Sequence, residues 1–373
     1  MSYEVDFLPV GNGEKSGDAI AVRFGDLLSG DRSKQFVMVI DGGTKESGEK
    51  LVNHIETYYK TTHVDLVVNT HPDGDHASGL SVVLEELTVD QLWMHLPWEH
   101  SQDIHHMFHD GRITPGSLSE RMRAALQNAK DLEAIAKRKG IPIVEPFAGE
   151  GGTALGCTVR VLGPDMEYYQ SLLPDFRSTP EKRQAASFAE MMMKAAFNAA
   201  GGVATMAQRV MESFGIETLE DPEDDATSAE NNSSAIICLQ IGDKQLLFTG
   251  DAGVPALERA NDWATWNGIV LSNCNFHQVP HHGSRRNIGP SILDRILGPK
   301  RHTDAPDKVA FVSASKDAPK HPSRRVTNAY RRRGAKVITT EGTAIWHSSG
   351  DVPVRSNYSA APVVPFYSEV EED

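Results

Sequence analysis

One segment constrains this chain more than any other: Val64-Asp65-Leu66-Val67-Val68-Asn69-Thr70-His71-Pro72-Asp73-Gly74-Asp75-His76. Its valine-rich apolar run reads as a buried strand over residues 64–69. Directly after it stand four potential metal ligands within six residues: His71, Asp73, Asp75 and His76. In an extended segment alternate residues point the same way, so His71 and Asp73 can reach one ion. Gly74 bends the chain so that Asp75 and His76 reach a neighbouring position, and Pro72 stiffens the loop. Taken alone, the same residues also suit a polar loop in which Asp75 or His76 caps the helix that follows.

Two later strand ends carry matching chemistry. Leu246-Leu247-Phe248-Thr249-Gly250-Asp251 delivers one carboxylate beyond a glycine, and Val279-Pro280-His281-His282-Gly283-Ser284 ends in histidines. Adjacent histidines point in different directions, so one is expected to be a ligand and the other to orient it or the substrate.

The order H-x-D-x-D-H, L-L-F-T-G-D, V-P-H-H-G-S resembles the metallo-β-lactamase superfamily, and more narrowly the hydrolase domain of ComEC-type competence proteins. Further stretches resemble that family: Gly17-Asp18-Ala19-Ile20, Val39-Ile40-Asp41-Gly42-Gly43, Asn231-Asn232-Ser233-Ser234, His321-Pro322-Ser323 and Thr340-Glu341-Gly342-Thr343-Ala344-Ile345. The resemblance implies that His71, Asp73, Asp75, His76 and Asp251 are metal ligands or neighbours, with Asp251 bridging two ions. It makes His281 the preferred late ligand and His282 the alternative, with His282, Ser284, Arg285, Asn232 and Asp41 supporting the site or the substrate. Two departures stand out. Asp73 replaces the middle histidine of the commoner H-x-H-x-D-H pattern. No histidine between His76 and Asp251 has the expected small, Gly-flanked setting, so His95, His100, His105, His106 and His109 read as structural. An oxygen-rich ligand set moves the expected pair of divalent ions from zinc toward manganese or magnesium.

Strand signals at residues 3–10, 18–23 and 36–40 precede the central segment. After it, helix signals fall at 78–87 and 118–138, and strand signals at 91–96, 141–144 and 158–162. Residues 164–231 differ: helical Met/Ala-rich stretches at 185–199 and 203–214 and an acidic loop at 217–225 read as an insertion. It suits a lid, an oligomer contact or a protein partner, and Met191-Met192-Met193 reads as packing. Strands at 234–241, 245–249, 275–279, 308–313, 336–340 and 344–347, with helices at 254–263 and 323–332, complete a core. This order predicts an α/β fold, an αββα sandwich of two mixed sheets over residues 1–352. The acidic tail, 353–373, is expected to be loosely held.

The net charge of −14 argues against binding long duplexes with the whole surface. Residues 281–340 nevertheless hold fourteen Lys/Arg against four Asp/Glu. Arg331-Arg332-Arg333 in that stretch reads as a solvated helix end favoured by the dipole. Three scattered cysteines, no apolar run of membrane length and an acidic N-terminus predict a cytoplasmic chain without membrane segments. The expected activity is metal-dependent hydrolysis of a phosphodiester, with nucleic acid among the candidate substrates. In that reading the two ions share a hydroxide, Asp75 holds or deprotonates the attacking water, and His321 protonates the leaving oxygen or binds phosphate. A small ester, lactone or nucleotide hydrolase is one alternative, and an inactive metal-binding interaction module another.

Overall fold

The computed structural model describes residues 1–11, 16–108, 112–177, 179, 210–301, 305–318 and 320–371. Strands such as Gln35–Gly42 and Ile236–Ile241 carry continuous apolar runs, and alternate residues therefore serve the apolar layers on both faces of a sheet. One seven-stranded sheet runs Ile345–Ser349, Ser2–Phe7, Ala19–Gly25, Gln35–Gly42, Leu66–Val68, Leu92–Trp93, Ile143–Val144. The other runs Ala335–Thr339, Lys308–Val312, Phe276–Gln278, Lys244–Phe248, Ile236–Ile241, Cys157–Gly163, Gly151–Ala154. Each sheet is antiparallel in one half and parallel in the other.

Val5, Phe7, Ile20, Val22, Met38 and Ile40 meet Val161, Ile237, Leu239, Phe248 and Phe276 between the sheets. The opposite faces are covered by helices. Val37, Val39 and Val67 pack with Leu51, Leu80, Val83 and Leu132, while Cys238, Leu247 and Ala310 pack with Leu257, Ile292 and Val326. The result is the four-layer αββα sandwich expected from the order of elements.

The central segment folds as strand His63–Val64, strand Leu66–Val68 and the one-turn helix Gly74–Ala77. Its end packs closely on the first sheet's helix. A methyl group on Gly79 would lie 1.9 Å from the Gly42 carbonyl oxygen and 2.5 Å from that of Thr44. Gly79→Ala is therefore expected to lower stability by about 3 kcal/mol in urea unfolding, since backbone on both sides must shift. Unchanged stability would mean that the crossing is looser than the structure shows.

Several expectations change. The single helix at 118–138 is two, Pro115–Ala125 and Gln127–Lys139. The helical stretch 185–199 and the methionine run fall outside the described residues. The described end of the 203–214 stretch is a strand, Val210–Met211, paired antiparallel with Glu369–Val370 of the tail. That tail is fastened to the body rather than loose: the Val364 amide donates to the Val337 carbonyl at 2.9 Å, and the Glu371 carboxylate accepts from the Ser323 hydroxyl. Composition hides this because the docking uses backbone pairing and isolated charges rather than an apolar stripe.

The basic helix end is also not solvated. Arg332 and Arg333 are fully buried in helix Arg324–Arg332 and its C-cap. Arg332 donates to Glu212 at 2.9 Å, and Arg333 donates to Glu217 at 2.7 Å and Asp294 at 2.8 Å. Two charges of the local positive excess are thus met by Glu212 and Glu217 instead of facing solvent. A buried charge is tolerated only with such partners.

Candidate metal centre

The parallel strands of both sheets end on the same side, where open α/β sheets place their ligands. Strand Leu66–Val68 leads into His71 and His76, strand Gln35–Gly42 carries Asp41, and Asp18 stands just before Ala19–Gly25. From the second sheet, Lys244–Phe248 leads to Asp251 and Phe276–Gln278 to His281 and His282. His281 and His282 have φ of 44° and 56°, a left-handed conformation that non-glycine residues adopt at some expense and that collects at functional sites.

Asp251 is the hub. Its carboxylate lies 3.8 Å from His71 Nε2, 3.4 Å from His76 Nε2, 3.7 Å from His281 Nε2 and 3.9 Å from His282 Nε2. Every one of these rings has its other nitrogen occupied. His76 Nδ1 donates to Asp41 Oδ2 at 2.8 Å, His282 Nδ1 to the Ser313 carbonyl at 2.9 Å, and His281 Nδ1 to Asn287 Oδ1 at 2.7 Å. The Thr70 hydroxyl donates to Asp41 at 2.6 Å and so accepts from His71 Nδ1 at 3.0 Å. All four imidazoles are thereby fixed with a lone pair on Nε2, the tautomer a metal requires.

The orphaned atoms coincide with this convergence. Among the described residues, buried Nε2 of His71, His76 and His282 and Oδ1 of Asp251 have no hydrogen-bond partner. Leaving so many buried polar atoms unpaired is expensive, and they are donor types that divalent cations accept as ligands. Donor atoms of Asp75, His76 and His282 converge, as do those of Asp18, Asp251 and His282. Imidazole nitrogen with carboxylate oxygen suits zinc or manganese.

The electrostatics agree. Burial pushes His71 down and His282 down to about 4. Burial would do the same to His76, but Asp251 and Asp41 raise it well above the ordinary histidine value. Burial would raise Asp251, yet His281, His76 and His282 hold it well below the usual carboxylate range. Asp18 is raised well above that range, by burial and then by Asp251 and Asp41.

The remaining expected residues fall into place unevenly. Asp73 is turned to Arg177 in an ion pair and is absent from the converging groups. His282 groups with Asp75 and His76, whereas His281, with its side chain 31% exposed, faces the rim. Asn232 Oδ1 accepts from the Gly253 amide at 3.1 Å and holds the turn beyond Asp251. Ser284 is buried and its hydroxyl accepts from the Arg286 amide at 3.2 Å, while Arg285 is half-buried beside it. His321 stacks on His281 with ring centroids 6.1 Å apart, and its buried Nδ1 has no partner among the described residues. His95 and His100 pack on Tyr169 away from the cluster, and His109 falls outside the described residues.

Sequence reasoning missed three residues. Asp18 lies 3.8 Å from His76; it was visible only as part of the Gly17-Asp18-Ala19 resemblance. Gln278 accepts from the Thr249 and Gly250 amides and donates to Asp18 at 2.8 Å, tying the two sheets together under Asp251. Asn287 carries His281 and also donates to the Asp251 carbonyl. Single amides within strands and loops give no local signal of such roles.

Fold and site define a metallo-beta-lactamase-type protein. The superfamily profile matches residues 32–299, and the chain belongs to the metallo-beta-lactamase superfamily, generally one of hydrolytic metalloenzymes. More particularly, the chain is similar to ComE operon protein 3 of Bacillus subtilis (strain 168), 25% identical over 121 residues, 32% of this chain and 14% of that protein. It is also similar to the uncharacterized protein YcaI of Escherichia coli (strain K12), 31% identical over 113 residues, 30% of this chain and 13% of that protein. The matched stretch spans about a seventh of either relative's length. An archaeal metallo-beta-lactamase superfamily protein from Sulfolobus tokodaii has a TM-score of 0.32 at 12% identity, covering 79% of this chain and 84% of that one. Among the described residues no helix is long and apolar enough to cross a membrane.

Proposed function

We propose that this hydrolase cleaves a phosphodiester, with a nucleic acid or a nucleotide-like ester as substrate. The observation that carries the reading is the pairing of the metal-ready cluster with a rim of His281, His321 and nearby cations. Asp75, His76, His282 and Asp251 would hold a divalent ion, zinc or manganese, and His71 would face a second. Such ions activate water and stabilise charge on a phosphoryl oxygen. Asp41, Thr70, Ser313 and Asn287 keep the imidazoles oriented for that task. Asp75, half-exposed on the loop, would use its second oxygen to hold the attacking water and take its proton.

Lys320, which acts on His321, and Arg286 are exposed and Arg285 is half-buried, a setting for phosphate oxygens. Burial and the neighbouring His281 push His321 below the ordinary histidine value. An anionic phosphate lying against it would favour uptake of a proton from solvent, and the imidazolium so formed would give that proton to the leaving oxygen.

His321→Gln is expected to slow cleavage of a dinucleotide by about 10²-fold. It should slow bis-p-nitrophenyl phosphate much less, because p-nitrophenolate departs with little protonation. Equal losses on both substrates would assign His321 to phosphate binding instead. A second reading, hydrolysis of a small ester or lactone, is favoured by the acidic surface and by the internal neutralisation of Arg332 and Arg333. Turnover of such esters with no phosphodiester cleavage under zinc or manganese would establish it in place of the first.

A further inference from the structure

The segment following helix Met166–Leu172 brings a cation to the metal loop. Arg177 is ion-paired with Asp73, and both its backbone amide, at 2.7 Å, and its Nε, at 3.0 Å, donate to Glu230 Oε1. Glu230 is buried, with its side chain 1% exposed, so the guanidinium is anchored at one end although the side chain is 65% exposed. The anchor belongs to the site itself. Glu230 lies in helix Ala229–Asn232, whose Asn231 lies 3.2 Å from His281 Nδ1 and whose Asn232 holds the Asp251 turn.

Asp73 stands two positions from His71 on the same loop. Its N-cap position carries no capping hydrogen bond, so the carboxylate serves Arg177 rather than the helix. His71 Nε2 has Asp251 at 3.8 Å and no hydrogen-bond partner among the described residues. Asp73 thus acts electrostatically on His71 and is at the same time paired with a positive charge of the chain.

We propose that Arg177 is a built-in competitor for the second metal ion. Paired with Asp73, it restricts the resting protein to one tightly held divalent ion at Asp75, His76, Asp251 and His282. Moving Arg177 away frees Asp73 to complete a second position with His71. An exposed ion pair is weak by itself, but this one is anchored on a buried carboxylate and occupies the ligand. A substrate phosphate is the group suited to draw Arg177 off, because a guanidinium fork matches two phosphate oxygens. The inference rests on the metal reading of the site and concerns ion number and its control.

The test loads metal-stripped, full-length protein with manganese and follows stoichiometry by elemental analysis and ion coupling by electron paramagnetic resonance. The parent is expected to take one ion tightly and to give an isolated-ion signal. Arg177→Gln is expected to bind the second ion about tenfold more tightly or better, and to give the exchange-coupled signal of a pair. Glu230→Gln, which loosens the anchor, should move the same way. Adding Asp73→Asn to Arg177→Gln should abolish the gain, showing that it runs through Asp73 and not through removal of a distant charge. A parent that already shows a coupled pair, with second-ion affinity unchanged in both single variants, would overturn the proposal while leaving the metal site intact. Failure of parent and variants alike to bind manganese or zinc would instead overturn the metal reading, and this proposal with it.

Discussion

Asp251→Asn is expected to lose tightly bound metal and to lower hydrolysis by about 10³-fold or more. The substitution keeps the side chain's shape, so the loss isolates the charge. Four Nε2 atoms lie within 4 Å of this one carboxylate, and the Nδ1 partner of each ring leaves its lone pair aimed inward. An amide in that place offers one neutral oxygen and an N–H₂ group that no cation accepts as a ligand. Elemental analysis after chelator treatment and reloading, together with initial rates on bis-p-nitrophenyl phosphate, checks both halves. A variant that still held parental metal and turned over normally would remove Asp251 from the centre of the site. The fold should persist, because Asp251 is tied into the turn through its backbone, with its amide donating to Ser234 and its carbonyl accepting from Asn287.

The second large effect lies far from the metal. Arg355→Met is expected to destabilise the protein by about 3–5 kcal/mol, as breaking a buried ion pair from one side leaves its partners unpaired. Arg355 comes from the tail, yet its side chain is 2% exposed and its guanidinium donates to the two Asp6 oxygens at 2.6 and 3.0 Å. Glu4 stands 3.1 Å away, and Trp346, Tyr58 and Tyr358 enclose the cation at about 5 Å. Asp6 also accepts from Tyr59 at 2.7 Å. Burial would raise the Asp6 carboxyl, but His54 and Arg355 lower it to about 2. Its folded value therefore lies below that of the unfolded chain, about 3.9. The stabilisation is present above about pH 4 and is lost as pH falls toward 2. In Arg355→Met the acid unfolding midpoint should move upward, and Asp6→Asn added to Arg355→Met should recover part of the loss. Urea and acid titrations followed by circular dichroism read both effects. A melting temperature equal to the parent's would show that the tail is dispensable.

The tail illustrates how uneven legibility was. Residues 353–373 look unstructured because Pro, Ser and Val are scattered along them, the end is acidic, and no periodicity marks a strand or helix. Their attachment depends on Arg355 meeting two acids some 350 positions earlier, at Glu4 and Asp6, a pairing invisible to any local pattern. Arg332 and Arg333 mislead in the same way. A basic helix end has a sound local explanation in the helix dipole, and only the approach of Glu212 and Glu217 turns it into a buried network. By contrast, that His71, His76 and Asp251 stand directly beyond buried apolar strands was readable locally, because each strand end is marked by an apolar run followed by polar residues.

From its residues alone, the chain determined the alternation of strands and helices, the two-sheet sandwich and the loops that carry the clustered histidines and carboxylates. Periodicity, strand-ending glycines and clustered histidines are local properties, and side-chain chemistry follows from them directly. Tertiary structure alone decided which lone pairs converge, that His282 joins Asp75 and His76 while His281 faces the rim, and that Asp73 is held by Arg177. Those outcomes depend on directions and distances of a few ångströms between residues far apart in the chain. Coulombic and coordination energies change steeply over that range, whereas sequence order scarcely registers it.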